Sequence, residues 1–260
     1  MSSRTPVLFI SHGAPTFALE PGVLGPNLQR IGERLDGIRA VLVVSPHWQA
    51  PGLRVMTGER PATWHDFGGF PEPLYQLQYP AAGAPEVARE TAELLREAGL
   101  NVIEDAARPY DHGAWVPLRF LFPDADVPVF QLAMPAHLDT RGALALGRAL
   151  RPLRERGVLV VGSGSLTHNL YEISRTNDSV PYATAFAEWA TKSVLARDEE
   201  ALVDYRRVAP SAERAHPTEE HYLPLLVAMG ASQEDDAPVL VPGGMTYGVL
   251  SMDSYAWGVA

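Results

Sequence analysis

Val158-Leu159-Val160-Val161-Gly162-Ser163-Gly164-Ser165-Leu166-Thr167-His168 joins a continuous apolar run to a small polar turn that delivers a histidine. Two other stretches share this plan. Val7-Leu8-Phe9-Ile10 leads to Ser11-His12-Gly13, and Val41-Leu42-Val43-Val44 leads to Ser45-Pro46-His47. Short apolar runs without alternation read as strands buried on both faces, as in a parallel sheet. In an open parallel sheet, ligands gather beyond the carboxyl ends of the strands, so histidines placed there can converge although distant in sequence. We read His12, His47 and His168 as parts of one metal site.

Helical patterns alternate with these runs. Leu28, Ile31 and Leu35 fall at i, i+3, i+7, and Val87, Thr91, Leu94 and Leu95 repeat that spacing within residues 85–98, with Gly99 as a stop. Leu146, Leu150 and Leu153 predict a helix that ends near Gly157, and residues 182–206, without Gly or Pro, read as largely helical. Residues 127–134 read as a further buried strand. Residues 238–242 and 245–252, around Gly243-Gly244, predict a final hairpin or pair of strands. The expectation is an α/β fold: a single domain over residues 1–260, with a mostly parallel central sheet covered by helices on both faces and a short C-terminal hairpin.

Composition narrows the function. The chain has 260 residues, with 21 Lys+Arg against 31 Asp+Glu and a net charge of −10. That balance argues against a general nucleic-acid surface and against adsorption to anionic membranes, and favours a small-molecule partner. There is no cysteine, which excludes disulfides, thiolate ligation and a Cys nucleophile. No basic start with a long apolar core marks a signal peptide, and no apolar stretch approaches the ~20 residues of a membrane helix. A cytoplasmic protein is the expectation; the oligomeric state is open.

The eight histidines carry the chemistry. His12 and His47 are read as ligands at strand ends, against the alternative, for His47, of a rigid strand exit plugged by Trp48. His221 lies in His216-Pro217-Thr218-Glu219-Glu220-His221-Tyr222-Leu223-Pro224, where Thr218 could cap a helix and place His221 in its first turn. Ligand and exposed side chain are equal readings there. The glycine-rich turn before His168 could instead cradle a phosphate, but it lacks a complete phosphate-loop pattern. His112, in Tyr110-Asp111-His112-Gly113-Ala114-Trp115, is read as an active-site residue, although Asp111 beside it need not touch it. His65 sits in an aromatic, glycine-rich loop, Trp64-His65-Asp66-Phe67-Gly68-Gly69-Phe70-Pro71, that either walls a pocket for a flat substrate or packs on the surface. His137 and His216 carry no chemical role in this reading.

Six ordered motifs resemble one family. They are Ser-His-Gly-Ala-Pro at 11–15, Ser-Pro-His-Trp at 45–48, His-Asp-Phe-Gly-Gly-Phe-Pro at 65–71, Asp-His-Gly-Ala-Trp at 111–115, Thr-His-Asn-Leu at 167–170 and Glu-His-Tyr-Leu-Pro-Leu at 220–225. Together they resemble the class III extradiol ring-cleavage dioxygenases, most closely the DOPA 4,5-dioxygenase-like branch, over essentially the whole chain. The resemblance implies a metal on His12, His47 and His221, with His168 as a fourth ligand or an acid/base and His112 as a second active-site histidine facing substrate. It implies Fe(II) for ring cleavage of a catechol with O2, with Zn(II) as the occupant of the purified protein. Candidate substrate contacts are His65, Phe67 and Tyr222. Two other functions stay open on the same residues: a zinc-dependent hydrolase, in which the metal lowers the pKa of bound water, and a non-enzymatic metal-binding protein on the same scaffold.

Overall fold

The computed structural model describes residues 4–174 and 178–259. Ten strands are assigned among them: β1 (Val7–Ser11), β2 (Ala40–Ala50), β3 (Leu53–Met56), β4 (Val102–Asp105), β5 (Val129–Pro135), β6 (Val158–Gly164), β7 (Pro238–Val241), β8 (Met245–Thr246), β9 (Leu250–Ser251) and β10 (Ser254–Trp257). Eight form one sheet in the order β4-β3-β5-β2-β6-β1-β10-β7. The centre, β5-β2-β6-β1, is parallel throughout, and the antiparallel partners lie toward the edges: β3 against β5, and β10 between β1 and β7. The Val/Leu/Ile runs of β1, β2 and β6 are buried along their whole length. Each such side chain contributes about 1.5–3 kcal/mol by leaving water.

Both faces are covered. Successive strand residues point to opposite faces, and the adjacent pair Gly162 and Ser163 of β6 shows what lies on each. A Cβ on Gly162 would stand 2.1 Å from the carbonyl oxygen of Pro224, in the helix Leu223–Ala231. Ser163 Oγ donates to the carbonyl of Gly113, in the helix His112–Leu121. Residues read as helical at 85–98 form the helix Pro85–Glu97, and the first amphipathic segment forms Leu24–Gly32, which carries Leu28 and Ile31 but ends before Leu35. No described helix is long and apolar enough to cross a membrane.

Three local expectations change. Residues 182–206 are not one helix: Pro181–Leu195 ends before Arg197, which takes φ 55°, and the chain resumes in the short helices Glu199–Val203 and Tyr205–Val208. At the C-terminus the hairpin is β8 against β9, while residues 238–241 pair instead with β10 inside the main sheet. Finally, Ser45-Pro46-His47 is not a turn leaving β2. The strand runs on to Ala50 with a register shift against β5 between Val44 and Gln49. Pro46 has no N–H to give the ladder, so the strand bulges there and re-aims His47.

Candidate metal centre

The strand order explains why distant histidines meet. β6 lies between β1 and β2, so His12, just past β1, and His47, in the β2 bulge, flank the end of β6. The His12 N–H donates to Gly164 O at 2.9 Å, which fixes its backbone to β6. Ser163 gives its hydroxyl proton to Gly113 O, so its oxygen accepts from His12 Nδ1–H at 2.9 Å. That assignment leaves His12 Nε2 with a bare lone pair, 3.1 Å from His47 Nε2.

His221 arrives from the opposite side of β6. It lies in the turn just before Leu223–Ala231, not in a first helical turn, and Thr218 donates to Glu220 instead of capping the helix. Gly162 and Gly164, read from the sequence as part of a glycine-rich turn, are the end of strand β6, and their missing side chains leave room for the 221–224 segment. A Cβ on Gly164 would sit 2.3 Å from His221 O, which accepts the Ser165 N–H at 2.9 Å. The imidazole centroids of His12, His47 and His221 are 5.1, 5.5 and 5.2 Å apart, and one donor nitrogen from each lies within 4.8 Å of the others. Glu220 accepts from His221 Nδ1 at 3.0 Å.

All three are in the ligating, neutral form at pH 7. Burial, reinforced by neighbouring imidazoles, pushes His12 and His221 well below the ordinary histidine range. His47 is lowered to about 4, first by burial and then by His112. Imidazole donors without thiolates fit a first-row divalent cation, and carboxylate or hydroxyl partners on the far ring nitrogen are the usual orientation device.

Two further histidines border this group. His112 opens its helix, with Asp111 capping it by accepting the Ala114 N–H at 3.2 Å. The carboxylate that touches His112 is Asp66, which accepts both its backbone N–H and its Nδ1–H at 2.9 Å. Burial alone would raise Asp66; the hydrogen bonds from His112 instead hold it below the usual carboxylate range. The His112 ring centroid is 4.0 Å from that of His47. His168 stacks on His221 with centroids 3.5 Å apart and planes 8° from parallel, and with Glu220 and His221 it forms a second group of three donors. Burial lowers it to about 4. The three strand-end histidines are therefore not equivalent: His168 stands beside the His12, His47, His221 group.

The expected substrate contacts separate. Phe67 turns its ring edge-on to His112 at 5.6 Å and borders the centre. His65 uses Nε2 to donate to Leu77 O at 3.0 Å and packs against Phe67 and Trp115, so it braces the loop. Tyr222 does not reach the crevice. It is fully buried, stacked on Tyr205 at 4.0 Å, with its hydroxyl donating to Leu202 O. The residue after His221 necessarily turns away from it at this turn, into the core behind the helix. His216 is buried with Nε2 donating to Leu166 O, and His137 is exposed. Sequence reasoning missed Asp66 and Ser163. Asp66 was visible only as a neighbour of His65, and Ser163 only by its position in the run leading to His168.

A family model described as the catalytic LigB subunit of aromatic ring-opening dioxygenase matches residues 8–251. The chain belongs to the LigB family. Among curated members, a 4,5-DOPA dioxygenase extradiol of Beta vulgaris is 39% identical over 252 residues, covering 95% of this chain and 94% of that protein. One of the same name from Escherichia coli K12 is 37% identical, covering 99% and 96%. A crystal structure of an uncharacterized protein, JW3007, from Escherichia coli K12 superposes with a TM-score of 0.81 at 31% identity, covering 97% of this chain and 99% of that one. This LigB-family chain is a metal-dependent extradiol ring-cleavage dioxygenase, which takes an aromatic substrate and O2.

Proposed function

We propose that the chain opens the ring of a catechol of the DOPA type, with Fe(II) held by His12, His47 and His221. The observation that carries the reading is the convergence of three neutral imidazoles from β1, β2 and the 221 turn. The curated relatives named for DOPA support the substrate class. Fe(II) would supply open coordination positions for substrate and O2 together with a redox capacity that Zn(II), the expected occupant after purification, lacks.

The protein's own groups supply binding and proton movement. Neutral imidazoles leave the cation's charge uncompensated, which favours an ionised catechol oxygen beside it. Asp66 commits His112 Nδ1 as a donor, which leaves Nε2 as the ring nitrogen available to a substrate. His168, neutral and partly exposed, is the first candidate to take the catechol proton and return it to the product, with His112 second. Such general acid/base help is typically worth ~10²–10⁴ in rate. Phe67 offers an apolar edge for a flat ring.

Protein loaded anaerobically with Fe(II), then given O2 and DOPA, is expected to form a yellow ring-opened semialdehyde, while zinc-loaded protein is expected to be inert. No consumption of any tested catechol by fully iron-loaded protein would refute the reading. His168→Ala is expected to keep the metal and lose turnover; full turnover would remove His168 from the reaction.

A further inference from the structure

Arg108 meets three segments that build the centre, and it contacts His47 through the backbone carbonyl. Its Nη2 donates to the backbone carbonyl of His47 at 3.0 Å and to Asp111 Oδ2 at 3.0 Å. Its guanidinium lies over the rings of Trp48, at 5.0 Å, and Trp64, at 4.9 Å. Each contact leads to a different part of the site. His47 and Trp48 belong to the β2 bulge. Trp64 leads directly into Asp66, the carboxylate that orients His112. Asp111 caps the helix that starts at His112 and also accepts from Ser45 Oγ at 2.9 Å, whose oxygen in turn accepts the His47 N–H at 3.3 Å.

The His47 peptide is therefore gripped at both ends by one node: its N–H through Ser45 to Asp111, its C=O by Arg108. A bulged strand has lost part of its ladder, so these side chains replace the hydrogen bonds that would otherwise fix its register. Only a planar cation with several donors can stack on indole faces and reach a carbonyl and a carboxylate together. Other donors serve Asp111: Ser45, the Ala114 N–H and Gln131 Nε2 at 2.8 Å. Loss of Arg108 thus leaves Asp111 hydrogen-bonded and the helix capped.

We propose that Arg108 is a positioning residue that sets the aim of His47 and registers it against the Asp66–His112 pair. The proposal rests on the reading of His12, His47 and His221 as metal ligands. It is tested by Co(II) binding, because the visible bands of Co(II) report ligand geometry independently of turnover. Arg108→Met is expected to stay folded by circular dichroism, to bind Co(II) about 10–100-fold more weakly, as for loss of other ligand-orienting groups, and to show shifted bands. Arg108→Lys keeps the charge but not the fork or the stacking, and is expected to fall between Met and wild type. Trp64→Leu keeps the cation and removes one stacking face at a partly exposed site. It is expected to weaken Co(II) several-fold, and it carries the test should Arg108→Met fail to fold. Wild-type bands and affinity in Arg108→Lys and Trp64→Leu would overturn the role of Arg108. A wild-type protein that binds no Co(II) would overturn the metal reading as well, which separates the two failures.

Discussion

Gly164→Ala probes a close approach between the sheet and the metal centre. The added Cβ would stand 2.3 Å from His221 O, whereas carbon and carbonyl oxygen settle at about 3.3 Å or more. One partner must therefore yield by about 1 Å. Gly164 is the last residue of β6 and is held in register against Ser11 of β1, so the turn carrying His221 is the part that moves. Moving it stretches the Ser165 N–H to His221 O bond from 2.9 Å beyond hydrogen-bond range. Overpacking of this kind costs about 1–3 kcal/mol. Ligand distances tolerate only about 0.2 Å, so metal affinity is expected to fall by ~10–100-fold. Calorimetric titration with Zn(II), paired with urea unfolding of the metal-free protein, reads both quantities. Gly52→Ala is the control, since a methyl there meets nothing within 4 Å. Wild-type metal affinity in Gly164→Ala, with stability matching the Gly52→Ala control, would refute the claim that the glycine at the end of β6 seats His221.

Three further outcomes are expected. Asp66→Asn is isosteric but loses the charge that holds His112 Nδ1–H, and turnover of the iron-loaded enzyme should drop about 10–100-fold with the fold intact; undiminished kcat would show that His112 needs no orienting carboxylate. His216 is lowered from the ordinary 6.5 to about 3 by burial. The unfolded chain takes up its proton below pH 6.5 while the folded chain does not until about pH 3, so stability falls as pH falls through that window. At pH 5 this residue alone removes about 2 kcal/mol. His216→Gln keeps a donor for Leu166 O without titrating, so urea unfolding at pH 7 and pH 5 should show a smaller loss in the variant, and equal losses would contradict the assignment. Tyr222→Phe should leave KM for a catechol unchanged, because the hydroxyl serves Leu202 O in the core, and should cost about 1 kcal/mol of stability; a raised KM would return Tyr222 to the substrate side.

The sequence by itself determined the central strands, their burial and the histidines at their ends. Those features are local: a run such as Val158 to Val161 has no polar atom to place on a wet face, and a histidine just past it cannot be far from the strand end. The motif order likewise marked His221 and His112. Partners across the sheet were not legible, because they depend on which strands lie side by side. Asp66 reaches His112 only because the 64–66 segment crosses the start of that helix. Ser163 reaches His12 only because β6 separates β1 from β2. The tertiary structure also moved Tyr222 into the core, turned the Ser45-Pro46-His47 exit into a bulge, and set His168 against His221. Local pattern fixes which residues sit at the end of a strand, but convergence within a few ångströms is a property of strand order, helix approach and the small residues that permit it.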